Sequence, residues 1–234
     1  MPNEQKKFKR PPKKYQPRGM TIIYEDNDIL VIDKVSGLLT MSTEKEKEKT
    51  AYFLLTNYVR KGNPKSKNRI FIVHRLDRDT SGIIIFAKNE VAKNFLQDQW
   101  QSFSKKYFAV VHGKLQKKED IITSYLAENS IHKMYSVDES EDGKLAKTGY
   151  KVLKESSKFS LVEIDLFTGR KNQIRVHFSD MGCPVAGDKI YGNNDKDIKR
   201  LALHGGILNI IHPVTKEKMT FHADMPLYFK SLIK

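Results

Sequence analysis

Short runs of apolar and β-branched residues alternate with polar turns along the chain from residue 20 onward. The first two runs, at 20–26 and 28–34, flank the turn-forming pair Asp26-Asn27 and predict a hairpin or a tight strand-turn-strand. Further runs of this kind occur at 70–73, 82–87, 105–113, 119–126, 148–155, 159–167, 200–212 and 218–224. The chain is therefore predicted to be rich in strands.

Two segments instead carry apolar residues at helical spacing. In residues 49–61 the apolar positions are Phe53, Leu54, Tyr58 and Val59, and in residues 89–103 they are Val91, Phe95, Leu96, Trp100 and Phe103. Asn89 stands where its side chain could cap the second helix, and both helices are predicted to pack on a sheet. Since strands outnumber helices, the pattern predicts an α+β fold with a largely antiparallel sheet.

A charged turn separates two of the predicted buried strands, in the segment 72–82, "IVHRLDRDTSG". Asp77 stands between Arg75 and Arg78, and a carboxylate beside guanidinium groups is held in its ionised form, available as a nucleophile or a base. A structural interpretation is open as well, because residues 80–82 could tighten the turn and surface ion pairs are common and weak.

Charge and composition narrow the class of protein. Among the 234 residues, 42 Lys and Arg stand against 28 Asp and Glu, a formal net charge of +14. Such an excess attracts polyanions, so nucleic acid is the leading partner, ahead of an anionic lipid surface or a merely basic soluble protein. A single cysteine allows no intramolecular disulfide and no thiolate metal cluster. With no apolar run near the ~20 residues of a membrane span, we expect a cytoplasmic protein without membrane contact.

Residues 1–19 form a basic tail that is predicted to be disordered. Seven Lys or Arg stand there against one Glu, and prolines at 2, 11, 12 and 17 oppose regular structure. The tail could be an arm that clamps RNA or a solubilising extension. It is too short for an independently folded module, so residues 20–234 are predicted to form the functional domain.

Four ordered segments resemble the motifs of the RluA-type RNA pseudouridine synthases. The segment "HRLDRDTSG" at 74–82 is similar to their aspartate motif, and "KKYFAVVHG" at 105–113 to their tyrosine motif. The segment 168–192, which begins "TGRKNQIRVHF", resembles their arginine motif, and 200–213 resembles the segment that closes their site. The resemblance runs from about residue 20 to the end, and is to compact members that lack a separate N-terminal RNA-binding module.

This resemblance implies a bent, mostly antiparallel mixed sheet with flanking helices and a central catalytic cleft. It implies conversion of specific uridines in tRNA or rRNA to pseudouridine by a monomer that flips the base out and uses no cofactor and no metal. The implied catalytic residues are Asp77 as nucleophile, Arg175 as its guanidinium partner and Tyr107 as the ring that stacks on uracil. The implied substrate and RNA-binding residues are His74, Arg75, Thr80, Arg170, Gln173, His177 and Leu203.

Three positions depart from the family's pattern. Asn172 replaces the usual histidine, and we expect activity to be retained with altered loop packing or RNA contact. Val35 stands where a proline is common, which removes a rigid turn element. The pair Gly205-Gly206 stands where an alanine is more usual after the histidine, which affects the expected placement of Leu203.

Other interpretations of the same residues remain open at the level of sequence. Without the resemblance, Tyr107 is a core or edge aromatic, Arg175 and His177 are solvated positions of an amphipathic helix, and His74 is a structural hydrogen bonder. A non-catalytic RNA-binding or ribosome-assembly protein would share the charge and fold. The spacing of Asp77 and Asp79 could serve a metal-dependent glycosyl transferase or, more weakly, a two-carboxylate glycoside hydrolase.

Overall fold

The computed structural model describes residue 12 and residues 15–139, 142–193, 195 and 197–234. Most of the predicted tail, residues 1–11, 13 and 14, lies outside these described residues. The strands are β1 (Met20–Glu25), β2 (Ile29–Lys34), β3 (Phe71–Ile72), β4 (Ser81–Ala87), β5 (Lys105–His112), β6 (Glu119–Glu128), β7 (Met134–Val137), β8 (Lys144–Glu155), β9 (Phe159–Leu166), β10 (Leu203–Ile211) and β11 (Lys218–His222). The helices are α1 (Ala51–Arg60), α2 (Glu90–Asp98), α3 (Gln173–Asp180) and α4 (Leu227–Leu232).

All of these strands belong to one mixed sheet, with the order β1-β2-β4-β10-β5-β9-β8-β6-β7. The short strand β3 adds to β4, and β11 adds to β10. Strands β4 and β10 run parallel, whereas the other paired strands run antiparallel. The predicted α+β class with a mostly antiparallel mixed sheet is confirmed.

The predicted hairpin at the start of the sheet forms as β1 and β2. Its turn is closed by the Asp26 carboxylate, which accepts hydrogen bonds from the backbone N–H groups of Asp28 and Ile29, each at 2.8 Å. An Asp side chain that bonds the backbone two residues on is the local reason for a turn at this position. In the next strand, β4, every residue is buried, as expected for a strand covered on both faces.

Both predicted helices are present, and each is capped by a side chain. Thr50 caps α1 by accepting a hydrogen bond from the backbone N–H of Phe53 at 3.2 Å. Asn89 caps α2, as predicted, by accepting one from the backbone N–H of Ala92 at 2.8 Å. Helix α2 ends at Asp98, earlier than the spacing predicted, and Trp100 and Phe103 pack into the core from the turns that follow. No helix among the described residues is long and apolar enough to cross a membrane.

Strands β4 and β10 approach each other closely at a pair of glycines. Gly82 faces Gly205 in the register, its φ is +121°, and a Cβ added to Gly82 would lie 2.3 Å from the Gly205 carbonyl oxygen. Because that oxygen belongs to backbone inside the sheet, it has little freedom to move. Glycine at 82 therefore permits the central parallel contact of the sheet.

Replacing Gly82 by alanine is expected to lower the free energy of unfolding by on the order of 3 kcal/mol, the sum of backbone strain and a steric clash. The matched control is Gly37→Ala, since Gly37 also has a positive φ of +89° but has no atom within 4 Å of an added Cβ. Urea denaturation of both variants measures the difference. Equal losses in the two variants would show that strain alone, without the close contact, accounts for the effect.

Candidate active site

Asp77 lies in the loop between β3 and β4, and this loop is fastened to the segment 35–41. The Thr40 hydroxyl donates a hydrogen bond to the Leu76 carbonyl at 2.8 Å and accepts one from the Leu76 N–H at 3.3 Å. The Arg78 carbonyl accepts a hydrogen bond from the Gly37 N–H at 2.8 Å. The residues on both sides of Asp77 are thus fixed, so its carboxylate has a defined position.

Lys34, at the end of β2, also holds the Asp77 loop in place through hydrogen bonds. Its side chain is fully buried, and its ammonium donates to the carbonyls of Val35, Leu38 and Arg78 at 3.0, 2.8 and 3.1 Å. Burial lowers the pKa of Lys34 to about 8, and the charge of Asp79 opposes that shift. Sequence reasoning missed this residue, although its place in phase with the buried residues Leu30 and Ile32 was a usable signal.

The partners of Asp77 come from α3 and from the residue that precedes this helix, and not from the neighbours of Asp77 in sequence. The Asp77 carboxylate lies 3.5 Å from Nη1 of Arg175 and accepts a hydrogen bond from the Asn172 amide at 2.6 Å. Arg75 instead contacts the Met41 sulfur at 3.7 Å, and Arg78 donates to the Gly37 carbonyl at 3.2 Å. The expectation that Arg75 and Arg78 hold the carboxylate is wrong, because these contacts direct both guanidinium groups towards the segment 35–41.

Arg175 is buried in α3 and is held by a second carboxylate. It donates two hydrogen bonds to Asp188, at 2.6 and 2.7 Å, and its guanidinium carbon lies 5.1 Å from the centroid of the Tyr191 ring. Burial opposes the charged form of Arg175, but the bonds to Asp188 together with the charges of Asp188 and Asp77 outweigh it, so the pKa of Arg175 is raised. The interpretation of Arg175 as a solvated helix position is wrong, because the helix buries this face against Asp188.

Asn172 stands immediately before α3 in a left-handed conformation, with φ of 53°. Its side chain makes no hydrogen bond to the helix N-terminus, so its amide is available to donate to Asp77. The Asn172 amide oxygen accepts a hydrogen bond from the Tyr191 hydroxyl at 3.4 Å. Asparagine and histidine are both enriched in the left-handed region, which explains why either can occupy this position. Contact with Asp77 itself was not anticipated from the sequence.

The cleft around Asp77 collects eight of the ten residues singled out from the sequence: Arg75, Asp77, Thr80, Tyr107, Arg170, Gln173, Arg175 and Leu203. Tyr107 lies on β5 opposite Gly205, and an added Cβ on that glycine would be 3.3 Å from the tyrosine ring. Burial, together with the charge of Asp77, raises the pKa of Tyr107 far above its ordinary value, so the phenol keeps its proton. Of the two glycines after His204, Gly205 makes room for the Tyr107 ring and Gly206 for the Phe108 ring. Leu203 also lines the cleft, as predicted.

Gln173 lines the cleft, but its side chain mainly makes hydrogen bonds that stabilise the loop before α3. Its amide oxygen accepts hydrogen bonds from the Thr168 hydroxyl at 2.7 Å and the Arg170 N–H at 3.0 Å. Its amide nitrogen donates to the Lys147 carbonyl at 3.1 Å and the Thr148 hydroxyl at 2.8 Å. With these bonds made and 2% of its surface exposed, Gln173 fixes the backbone of the segment that carries Asn172.

The two predicted substrate-binding histidines, His74 and His177, do not line the cleft. His74 accepts a hydrogen bond from the Ile85 N–H at 3.1 Å and stacks on Trp100 with 4.1 Å between ring centroids. His177 is buried and pairs with the Ser124 hydroxyl at 3.0 Å. Burial lowers the pKa of His74 to about 3 and that of His177 to about 4, so both are neutral. Their geometry supports packing roles in place of the expected substrate contact.

The half-buried His74 makes the free energy of unfolding depend on pH. Its pKa is about 3 in the folded protein, against an ordinary value of 6.5, so only the unfolded chain gains a proton between these values. Stability from this group is complete above pH 6.5 and is lost as the pH falls towards 3. Between pH 7 and pH 5 we expect the wild type to lose about 2 kcal/mol more than His74→Gln, whose amide oxygen can still accept from Ile85. Urea denaturation at both pH values measures this, and parallel losses would contradict it.

The described residues do not bring Asp77 and Asp79 together as a metal site. Asp77 lines the cleft, whereas Asp79 lines a separate cavity. Three possible ligand atoms lie within 4.8 Å of one another at Asp26, Asp28 and His212. Two of these residues, Asp26 and His212, already form a hydrogen bond with each other at 2.8 Å. The geometry gives no support to the metal-dependent transferase interpretation of the Asp77-Arg78-Asp79 spacing.

Comparison with known proteins supports the same family as the sequence motifs. The sequence profile described as RNA pseudouridylate synthase matches residues 28–180. An uncharacterized RNA pseudouridine synthase of Bacillus subtilis is 36% identical over 219 residues, which cover 92% of this chain and 72% of the relative. The ribosomal large subunit pseudouridine synthase C of Buchnera aphidicola is 36% identical over 227 residues, 91% of this chain and 69% of the relative.

A solved structure agrees with these relatives in fold. The human RNA pseudouridylate synthase domain containing 1 superposes with a TM-score of 0.72 and 25% identity, covering 92% of this chain and 86% of the human chain. The fold of this chain thus has a counterpart among solved structures. The chain belongs to the RluA-type RNA pseudouridine synthase family, and is an isomerase that acts on RNA.

Proposed function

We propose that this protein converts specific uridines of rRNA or tRNA to pseudouridine, with Asp77 as the essential catalytic group. The reaction breaks the bond between N1 of uracil and C1′ of ribose, and joins C5 of the same uracil to C1′. The proton at C5 leaves and N1 gains one, so atoms and electrons balance without an oxidant or a second substrate. The observation that supports the proposal is a carboxylate held by Asn172 and Arg175 in the same cleft as Tyr107.

The positions of the cleft residues suit a base that has left its helix. A uridine stacked in RNA exposes neither C1′ nor C5 to a carboxylate, so the nucleotide must be flipped out. Tyr107 offers a neutral ring for stacking, and Leu203 offers an apolar wall in the same cleft. Arg75 is exposed at the cleft and is suited to take the place of the departed base. Arg175 provides the positive charge that offsets the carboxylate while the glycosidic bond is broken.

The proposal extends to the setting of the reaction. Residues 20–234 act as one catalytic domain, in the cytoplasm, as a monomer. We expect no cofactor and no metal to take part, because no hydride moves and no group is lost in the reaction. Ribosomal RNA is favoured among substrates by the name of a relative that is 36% identical, a ribosomal large subunit pseudouridine synthase.

Release of tritium tests the proposed reaction directly. Unmodified rRNA and tRNA transcripts that carry tritium at C5 of uridine are incubated separately with the protein in the presence of a chelator. Formation of the C5–C1′ bond displaces that hydrogen into water, so counts in the solvent measure turnover. Release from one pool names the substrate class, whereas stable binding to both pools without release would favour a non-catalytic RNA-binding protein.

Asn172 is expected to position Asp77, with a measurable effect on rate. Loss of a hydrogen bond to a charged group corresponds to about 1.5–3 kcal/mol, so Asn172→Ala should lower kcat about ten- to a hundred-fold. Asn172→Asp should be more severe, because it sets a second carboxylate against Asp77. Asn172→His should retain most activity, since histidine tolerates the left-handed backbone and can donate. Single-turnover rates and RNA affinities separate the effects, and equal rates in the Ala and wild-type proteins would contradict this role.

A further inference from the structure

A second cavity is lined by residues that are close in sequence to residues of the cleft. Asp77 lines the cleft and Asp79, two residues later, lines this cavity, which has a volume of about 280 Å³. Gly187 also lines the cavity and immediately precedes Asp188, the partner of Arg175. Leu201 lines the cavity and Leu203 lines the cleft, so the segments 77–80 and 201–203 each contribute residues to both spaces.

The cavity is positively charged. Lys189, Lys199 and Arg200 line it, and none of these three forms an ion pair with any residue in the described ranges. Asp79 is the one carboxylate among the described lining residues, and its charge acts on the buried ammonium of Lys34. The excess of cations is thus available to a ligand that carries negative charge.

Arg200 is fixed in place but keeps an unused donor. Its Nη2 donates to the Ser81 hydroxyl at 2.9 Å, and its guanidinium carbon lies 4.6 Å from the centroid of the Tyr228 ring. Its Nε is buried and has no hydrogen-bond partner among the described residues. A buried donor of this kind is unfavourable unless an acceptor arrives, and a guanidinium is well suited to phosphate oxygens.

We infer that this cavity binds a backbone phosphate of the substrate RNA, next to the nucleotide that enters the cleft. Because Asp77 and Asp79 are separated by at most about 7 Å of extended chain, we assign the site to a phosphate within one or two nucleotides of the target. The site would fix the register of the strand and leave the choice of base to the cleft. The inference rests on the proposed function, because it takes RNA in the cleft as its starting point.

The test compares two pairs of lysine substitutions that remove the same charge. Lys189→Gln with Lys199→Gln alters the cavity, and Lys154→Gln with Lys158→Gln alters two exposed lysines, at the end of β8 and in the turn before β9, that line neither the cavity nor the cleft. Binding of an unmodified large-subunit rRNA transcript is measured from 50 to 200 mM KCl. In the variant with both cavity lysines replaced (the cavity pair), the slope of log K against log[KCl] should become shallower by about 0.7–0.9 for each phosphate that is no longer neutralised. In the variant with Lys154 and Lys158 replaced (the control pair), the slope should not change. Equal changes in both pairs, or none in the cavity pair, would overturn the inference.

A second arm locates the phosphate. Uncharged methylphosphonates are placed singly around a modified uridine once that uridine is mapped. The wild type should lose affinity most at one linkage within two nucleotides of the target, and the cavity pair should be indifferent to that linkage. An equal loss of affinity for a methylphosphonate at every linkage would contradict the proposed phosphate site. Tritium release by the wild type is scored separately, so failure of the proposed reaction and failure of the phosphate site are distinguishable.

Discussion

The Asp77→Asn variant is expected to form no detectable pseudouridine, a fall in turnover of at least about a thousand-fold, while it still binds RNA. Asparagine has the same shape as aspartate and keeps an oxygen that can accept from the Asn172 amide, which lies 2.6 Å from the native carboxylate. The loop is also fastened by Thr40, Gly37 and Lys34, none of which depends on the carboxylate. The loss should therefore be chemical and not structural.

RNA affinity provides the control for this substitution. Removal of one negative charge from a basic cleft should leave the affinity unchanged or slightly increase it. Urea denaturation should give nearly the same midpoint for the variant and the wild type. Wild-type turnover by Asp77→Asn would contradict the assignment of Asp77, whereas loss of both folding and binding would assign it a structural role.

The Arg175→Ala variant is expected to lose both activity and stability. The substitution leaves the buried Asp188 carboxylate without the two hydrogen bonds at 2.6 and 2.7 Å, and removes the charge 3.5 Å from Asp77. Breaking a buried ion pair on one side costs about 3–5 kcal/mol. Turnover should fall at least about a hundred-fold, because the charge that offsets Asp77 is absent from the transition state.

Two further variants separate the roles of this arginine. Arg69→Ala is the matched control for stability, since the Arg69–Glu90 pair at 3.4 Å has side chains that are 55% and 70% exposed, and such pairs contribute about 0–1 kcal/mol. Asp188→Asn keeps the shape of the partner but weakens its hold on Arg175, so turnover should fall while RNA affinity is retained. Equal stability losses in Arg69→Ala and Arg175→Ala would contradict the importance of the buried pair.

Much of the fold follows from local patterns in the sequence. The hairpin β1–β2, the cap of α2 at Asn89 and most of the strands have signals within a few residues. Strand β7 was not predicted, because "MYSV" shows no alternation and is held by its pairing with β6. Helix α2 is shorter than its apolar spacing suggested: it ends at Asp98, and Trp100, beyond the helix end, stacks on His74 at 4.1 Å. Tertiary contacts override periodicity at such places.

Most residues of the candidate site could be predicted from the sequence, whereas the contacts between them could not. Ordered motifs pointed to Asp77, Tyr107 and Arg175, which the structure brings to one cleft. They did not reveal that Asn172 touches Asp77, because 95 residues separate the two along the chain. Nor did they reveal Asp188, since a carboxylate that fixes an arginine looks like any other acidic residue until the fold places it. Residues that hold a site through distant contacts leave little local signal.

The most direct measurement is a comparison of wild-type protein and Asp77→Asn on the same unmodified rRNA and tRNA, without metal or cofactor, with each new pseudouridine mapped. We expect new pseudouridines at defined positions with the wild type, and none with Asp77→Asn at equal RNA occupancy. The same positions modified by both proteins would contradict the role of Asp77, and RNA bound by the wild type without any new pseudouridine would contradict the proposed activity.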